Sequence, residues 1–247
     1  GRSSMYHHGF AMLAMAEAYG AVDDRELWTE EGAGGKGLSI GESLELAVRL
    51  AVTSARKNPI GAWRYSPDAN DHDTSVSGAI LLGLLAARNA GLDVPDETID
   101  KALAYYASMT GPDGSVGYAS PGGGSDATTS IGLLVMAIAR RKDLPQYGTV
   151  SGALVARSRG GADGSDSFGS SHVNYTRYYR AQALFQADFD AWKDWNGKLV
   201  QRIKSERRAD GAIGAAGQNS GEGEIAGTAL SLLAMAVNFR FLPVYER

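Results

Sequence analysis

The feature that most constrains this chain is an internal repeat of about fifty residues. The stretch from Gly61 to Arg88, GAWRYSPDANDHDTSVSGAILLGLLAAR, carries a Gly-x-Trp-x-Tyr turn, a loop of turn-forming residues, an Asp-Thr-Ser cluster and an apolar run at helical spacing. Most of these parts return from Gly114 to Arg140, GSVGYASPGGGSDATTSIGLLVMAIAR, with Tyr118 for Tyr65, Asp126 for Asp73, and Thr128 and Ser130 for Ser75 and Ser77. Asp73 and Asp126 are 53 residues apart. The turns Asp113-Gly114, Asp163-Gly164 and Asp210-Gly211 repeat the beat at intervals of 50 and 47. Glycine reaches positive φ without steric cost, so Asp-Gly pairs favour tight turns. A period of this length in a helix-rich chain means stacked units, each burying its apolar face on its neighbours.

Within the repeat, strongly apolar and amphipathic helices alternate. Met5 to Gly20 is apolar nearly all round, which predicts a helix buried on most sides and stopped by Gly20. Ser39 to Lys57 is amphipathic, with Leu44, Val48 and Ala51/Val52 on one stripe and Glu42, Glu45 and Arg49 outside it. The same alternation predicts Thr74 to Asn89 inside and Pro95 to Met109 outside, then Ala127 to Arg141 inside and Gln146 to Ser158 outside. Ser171 to Ala187 follows inside and Phe189 to Arg207 outside, with Trp192, Trp195, Leu199 and Ile203 on an apolar stripe, and Glu224 to Phe241 is the last inner helix. The expected fold is all-α: an α/α toroid, a double ring of inner and outer helices, or an open arc of one. We expect one domain over residues 1–247 built of about five helical hairpins. Nine helices fall short of the twelve of a closed six-hairpin ring. An open ring would leave apolar edge helices for a homodimer or a partner domain.

Bulk properties exclude several classes. A formal charge of −4 with interspersed signs gives no footprint for nucleic acid or an anionic membrane. No apolar run approaches the roughly 20 residues of a membrane span. The absence of cysteine removes disulfides, thiolate zinc sites and a cysteine nucleophile, and leaves the compartment open. The opening Gly1-Arg2-Ser3-Ser4 lacks an initiator methionine, which suggests the C-terminal part of a longer protein.

The Gly61-Ala62-Trp63-Arg64-Tyr65, Asp73-Thr74-Ser75 and Asp113-Gly114-x-x-Gly117-Tyr118 signatures resemble the repeats of the terpenoid cyclase and protein prenyltransferase superfamily, the prenyltransferase/squalene-oxidase repeats. The resemblance runs from about Met5 to the closing FRFLPVYER, which is similar to the ends of uncharacterised bacterial members. It implies the toroid, and it implies that Trp63, Trp192 and Trp195 act as wedges between units. Class II cyclases of this superfamily protonate an alkene or epoxide with an Asp-x-Asp-Asp acid held neutral in an apolar cavity. Here Asp71-His72-Asp73-Thr74 stands in that region. Aligned on Asp-Thr, the donor's place falls on His72; aligned on the first Asp, Asp73 takes it and Thr74 replaces the last acid. Asp71, His72 and Asp73 are therefore the catalytic candidates. The competing reading makes Asp73 and Asp126 N-caps of inner helices. The zinc site of protein prenyltransferases needs a cysteine and cannot be carried over, and no cofactor or metal is expected.

His7, His8, His72 and His172 lie near the starts of inner helices, with Asp73, Asp126 and Glu224. If those helices share one polarity, these residues approach one rim, as polar lining or caps, which we expect, or as a metal site or an acid-base pair. The fourth inner helix carries His172, Asn174, Tyr175, Arg177, Tyr178, Tyr179 and Arg180 where its sisters carry Leu, Ile and Ala. Its tyrosines either line a cavity or pack on the next outer helix, with the arginines paired to Asp188 or Asp190. The ligand-cavity candidates are thus His8, Asp126, His172, Tyr175, Tyr178, Tyr179 and Glu224. Gly122-Gly123-Gly124-Ser125 reads as a flexible loop, and Ala215-Ala216-Gly217-Gln218 has no cysteine for thioester chemistry. Three functions stay open: a toroid that binds a ligand or partner without cyclising it, which we expect; an enzyme acting on an isoprenoid; and a toroid acting on an acidic polysaccharide.

Overall fold

The computed structural model describes residues 4–24, 37–159, 172–214 and 223–239. Residues 1–3, nearly all of the Gly32 to Gly37 loop, Asp163-Gly164, Ala215 to Gln218 and the closing peptide after Phe239 lie outside the described residues. Among the described residues the protein is all-helical, with nine helices: α1 (Ser4–Ala18), α2 (Ile40–Lys57), α3 (Thr74–Asn89), α4 (Asp96–Met109), α5 (Asp126–Ile138), α6 (Pro145–Arg159), α7 (Val173–Ala187), α8 (Phe189–Glu206) and α9 (Glu224–Ala236). They fall into two compact units, one up to Ser108 and one from Met109 onward.

In the first unit α1 lies along α3, and α2 touches both. The expectation that α1 is buried on most sides is corrected, because only Met5, Gly9, Met12 and Ala16 are buried, a single stripe along the helix. The α1–α3 contact is close because it is made by glycines. A Cβ on Gly9 would stand 2.5 Å from the Ala79 carbonyl carbon, and one on Gly83 would stand 2.9 Å from the Gly9 carbonyl oxygen. α3 is the core of this unit, buried almost throughout from Thr74 to Ala87. α2 begins with a complete capping box, in which the Ser39 hydroxyl accepts from the Glu42 N–H and the Glu42 side chain accepts from the Ser39 N–H.

The second unit has two layers. α5, α7 and α9 pack side by side, α7 in the middle, and α6 and α8 pack beside them. α8 turns Trp192, Trp195, Leu199 and Ile203 inward, the stripe expected from the sequence. Trp192 stacks edge-on against Phe185 of α7 at 5.1 Å. α7 is buried on nearly every side although it carries two arginines and three tyrosines.

The repeat reappears bond for bond in the turns before α5 and α9. Gly111 N–H donates to Ser115 O, Gly114 N–H to Gly111 O and Gly117 N–H to Met109 O; Arg208 to Ala212, Gly211 to Arg208 and Gly214 to Glu206 make the same three bonds. Gly114 and Gly211 hold φ of 78° and 88°, the left-handed region that the Asp-Gly signal predicts. Each such turn, and the one at Trp63, is then clasped to the helix that follows it by a hydroxyl. Trp63 N–H donates to Ser77 Oγ at 2.9 Å, Val116 N–H to Thr129 Oγ1 at 3.2 Å and Ile213 N–H to Thr228 Oγ1 at 3.1 Å.

The clasp corrects one alignment. Ser77 lies four residues past the N-cap Asp73, and Thr129 lies four residues past the N-cap of α5, which is Ser125 and not Asp126. The second copy is one residue shorter between turn and helix. Thr129, rather than Ser130, is the counterpart of Ser77, and Asp126 sits in the first turn with its carboxylate available for other partners.

Candidate functional site

In the first unit, the Asp71-His72-Asp73 stretch leads into α3. Trp63 O accepts from the Asp73 N–H at 3.0 Å, which brings the loop back beside the preceding turn. Asp73 is fully buried, and its Oδ1 accepts from Ser75 N at 2.8 Å, Ser75 Oγ at 2.6 Å and Val76 N at 3.0 Å. It is the cap of α3, which satisfies N–H groups that a helix start leaves without intrahelical partners. Asp71 is exposed and pairs with Arg64 at 3.2 Å. The same Arg64 Nη1 donates to the His72 carbonyl at 3.0 Å, so the guanidinium fixes the backbone between the two candidates.

His72 is half-buried, with Nδ1 3.1 Å from the Tyr105 hydroxyl. That hydroxyl is also 2.9 Å from Thr74 Oγ1, while Tyr106 O–H donates to the Thr74 carbonyl at 2.6 Å. The result is a hydrogen-bonded chain, His72 to Tyr105 to Thr74, at the start of the core helix. Burial is the main force that pushes the Tyr105 hydroxyl up to about 12, only partly offset by its bond to Thr74. Near neutrality Tyr105 therefore keeps its proton and orients the His72 ring. Sequence reasoning missed Tyr105, since it stands 33 residues from His72 on another helix, α4, and no local pattern links them. His8 lies elsewhere in this unit. Its Nε2–H donates to the Ala47 carbonyl of α2 at 2.9 Å, a helix-to-helix tie.

In the second unit the polar residues of α7 are joined to neighbouring helices. Arg177 is buried and makes a two-pronged pair with Glu206 of α8, at 2.7 and 3.0 Å. Its Nη1 also donates to Asn174 Oδ1, which accepts from Ser231 Oγ of α9 at 3.1 Å. One network thus ties α8, α7 and α9 together. Arg180, also buried, pairs with Asp126 of α5, whose other oxygen takes Arg157 of α6 at 3.2 Å. These partners differ from the expected Asp188 and Asp190: Asp188 caps α8 through the Ala191 N–H and pairs with Arg159. Glu206 lies 29 residues from Arg177, beyond any helical spacing, so nothing in the sequence singles it out.

Burial raises the Glu206 carboxyl, but the bonds and charge of Arg177, joined by Arg202, more than reverse this and hold it below its ordinary value. Tyr175, Tyr178 and Tyr179 are buried, with Tyr179 edge-on to both others at 4.7 and 4.8 Å. His172 is exposed at the start of α7, and Glu224 is exposed at the start of α9, 3.2 Å from Arg208. Thus Asp71, His72 and Asp73 follow one another into α3, Asp126 joins the α7 network, His8 ties α1 to α2, and His172 and Glu224 are exposed at the starts of α7 and α9. Among the described residues no group of three or more His, Asp or Glu side chains is placed to hold a metal ion, and no described helix is long and apolar enough to cross a membrane. Neither a protein-family model nor a curated relative matches the chain.

Proposed function

We propose that this chain is a repeat domain of the squalene-cyclase and prenyltransferase type that binds a ligand or a partner without cyclising it. The observation that carries the reading is the role of Asp73. A cyclase acid presents a polarised O–H to its substrate, whereas Asp73 Oδ1 accepts three hydrogen bonds as the buried cap of α3. The network around Arg177 and Arg180 supports the same reading. Their charges meet Glu206 and Asp126 within the protein, which weighs against a site for an acidic polysaccharide. The test is native mass spectrometry of the purified chain, followed by incubation with polyene and prenyl diphosphate isoprenoids. A co-purifying mass that is lost on denaturation supports a binding domain. A cyclised product that disappears in Asp73→Asn overturns it.

A second reading, an enzyme acting on an isoprenoid, is favoured by the chain from His72 to Tyr105 and Thr74. An imidazole steered by a buried phenol is a competent acid or base. Turnover that is lost in His72→Ala and altered in its pH profile by Tyr105→Phe would select it.

A further inference from the structure

We propose that α9 is a self-docking surface through which two copies of this chain pair antiparallel. The inference rests on the partner-binding half of the proposed function. α9 buries Gly227, Ser231 and Ala234 among its neighbours, α7 and α8. At about 100° per residue, the stripe Ile225, Ala229, Leu232 and Ala236 lies roughly 160° around the helix from that buried face. On this stripe Ile225 is 88% exposed and Leu232 52%, Ala229 is exposed and Ala236 half-buried, and Phe239, in the turn that follows, is 65% exposed.

The order of residues on the stripe identifies the occupant. Ile225, Ala229, Leu232 and Ala236 recur at alternating steps of four and three, the spacing of a coiled-coil seam, with a large and a small residue in turn. Laid antiparallel on a second copy, Ile225 meets Ala236, Ala229 meets Leu232, and the order then reverses, so every layer sets large against small. The surface is complementary to itself, as a two-fold interface requires. Charge agrees. The positions flanking the seam are Ala226, Thr228, Leu233 and Met235, and Glu224 is the only ionisable residue from 224 to 239, so a second copy meets no wall of like charge. The seam offers only two large exposed side chains per copy, Ile225 and Leu232, with half-buried Leu233 beside them. A stable complex buries about 800 Å² per partner. The dimer is therefore weak and concentration-dependent rather than permanent.

Sedimentation equilibrium of the full chain from about 1 to about 500 μM spans the affinity of such an interface. The weight-average mass is expected to climb from 26.0 kDa toward twice that value. Leu232→Glu, a change at an exposed position, is expected to weaken the dimer at least about tenfold. The natural chain has no cysteine, so introduced thiols report orientation directly. An oxidised mixture of Ala229→Cys and Leu232→Cys chains should link across the seam, while Leu232→Cys mixed with Leu46→Cys, a comparably exposed leucine of α2, should not. A constant mass of 26.0 kDa over the whole range, an unaltered dimer in Leu232→Glu, or equal linking in both mixtures would overturn the proposal. Since the readout is mass and linkage, its failure leaves a co-purifying ligand, and hence the ligand-binding reading, untouched.

Discussion

Arg177 and Glu206 form a two-pronged ion pair at 2.7 and 3.0 Å, with the arginine side chain only 3% exposed, at the junction of α7 and α8. A guanidinium can be buried there because its charge and two of its N–H groups meet one carboxylate.

Removal of the carboxylate should strand that charge. Glu206→Gln is expected to cost about 3 kcal/mol in urea unfolding, whereas the double change Arg177→Met and Glu206→Leu should recover most of it. The pH dependence has a fixed sign. The folded Glu206 carboxyl lies below its unfolded value, so its contribution is complete above the unfolded value and is lost as pH falls through the folded one. Wild type should therefore lose more stability than Glu206→Gln as pH is lowered from neutral into the acid range. Parallel curves would show that the pair contributes nothing.

The hydroxyl clasps should be graded by burial. Ser77 both accepts from Trp63 N–H and donates to Trp63 O at 3.1 Å, in a buried setting. Thr129 accepts one buried bond, and Thr228 accepts one at a partly buried site. Ser77→Ala should cost about 2 kcal/mol and Thr129→Val about 1 kcal/mol, with Thr228→Val least, because each leaves a backbone donor without its acceptor. Chemical denaturation of the three variants gives the order directly.

Two glycine substitutions should move stability in opposite directions. Gly9→Ala places a methyl 2.5 Å from the Ala79 carbonyl carbon and forces α1 off α3, at a cost of about 1 to 3 kcal/mol. Gly152→Ala, in the exposed middle of α6 with nothing within 4 Å, should stabilise by about 0.5 to 1 kcal/mol. Thermal unfolding of both resolves the signs.

Helix ends supply another test. α3 closes with Leu92 N–H to Ala87 O and Gly91 N–H to Arg88 O; α5 closes with Arg141 N–H to Met136 O and Arg140 N–H to Ala137 O. The same turn thus holds Gly91 at φ 95° and Arg140 at φ 60°. Arginine has a Cβ that disfavours this region, so Arg140→Gly should raise stability by about 1 kcal/mol, whereas Gly91→Ala should lower it. A calorimetric comparison of the two decides the point.

The sequence alone determined the elements. The apolar periodicity of Thr74 to Asn89, the stripe of Trp192, Trp195, Leu199 and Ile203, and the Asp-Gly turns at 113 and 210 are local facts of spacing, and each predicts the helix or turn that is found. Such signals survive in one dimension because they reflect contacts within a few residues. The tertiary structure decided which residues meet. Two aspartates 53 positions apart looked equivalent, yet one residue fewer between turn and helix makes Asp73 a cap and turns Asp126 toward Arg180 and Arg157. Likewise Tyr105 beside His72 and Glu206 beside Arg177 belong to different helices. Their pairing depends on how whole helices pack, and the burial that makes these bonds matter comes into being only with that packing.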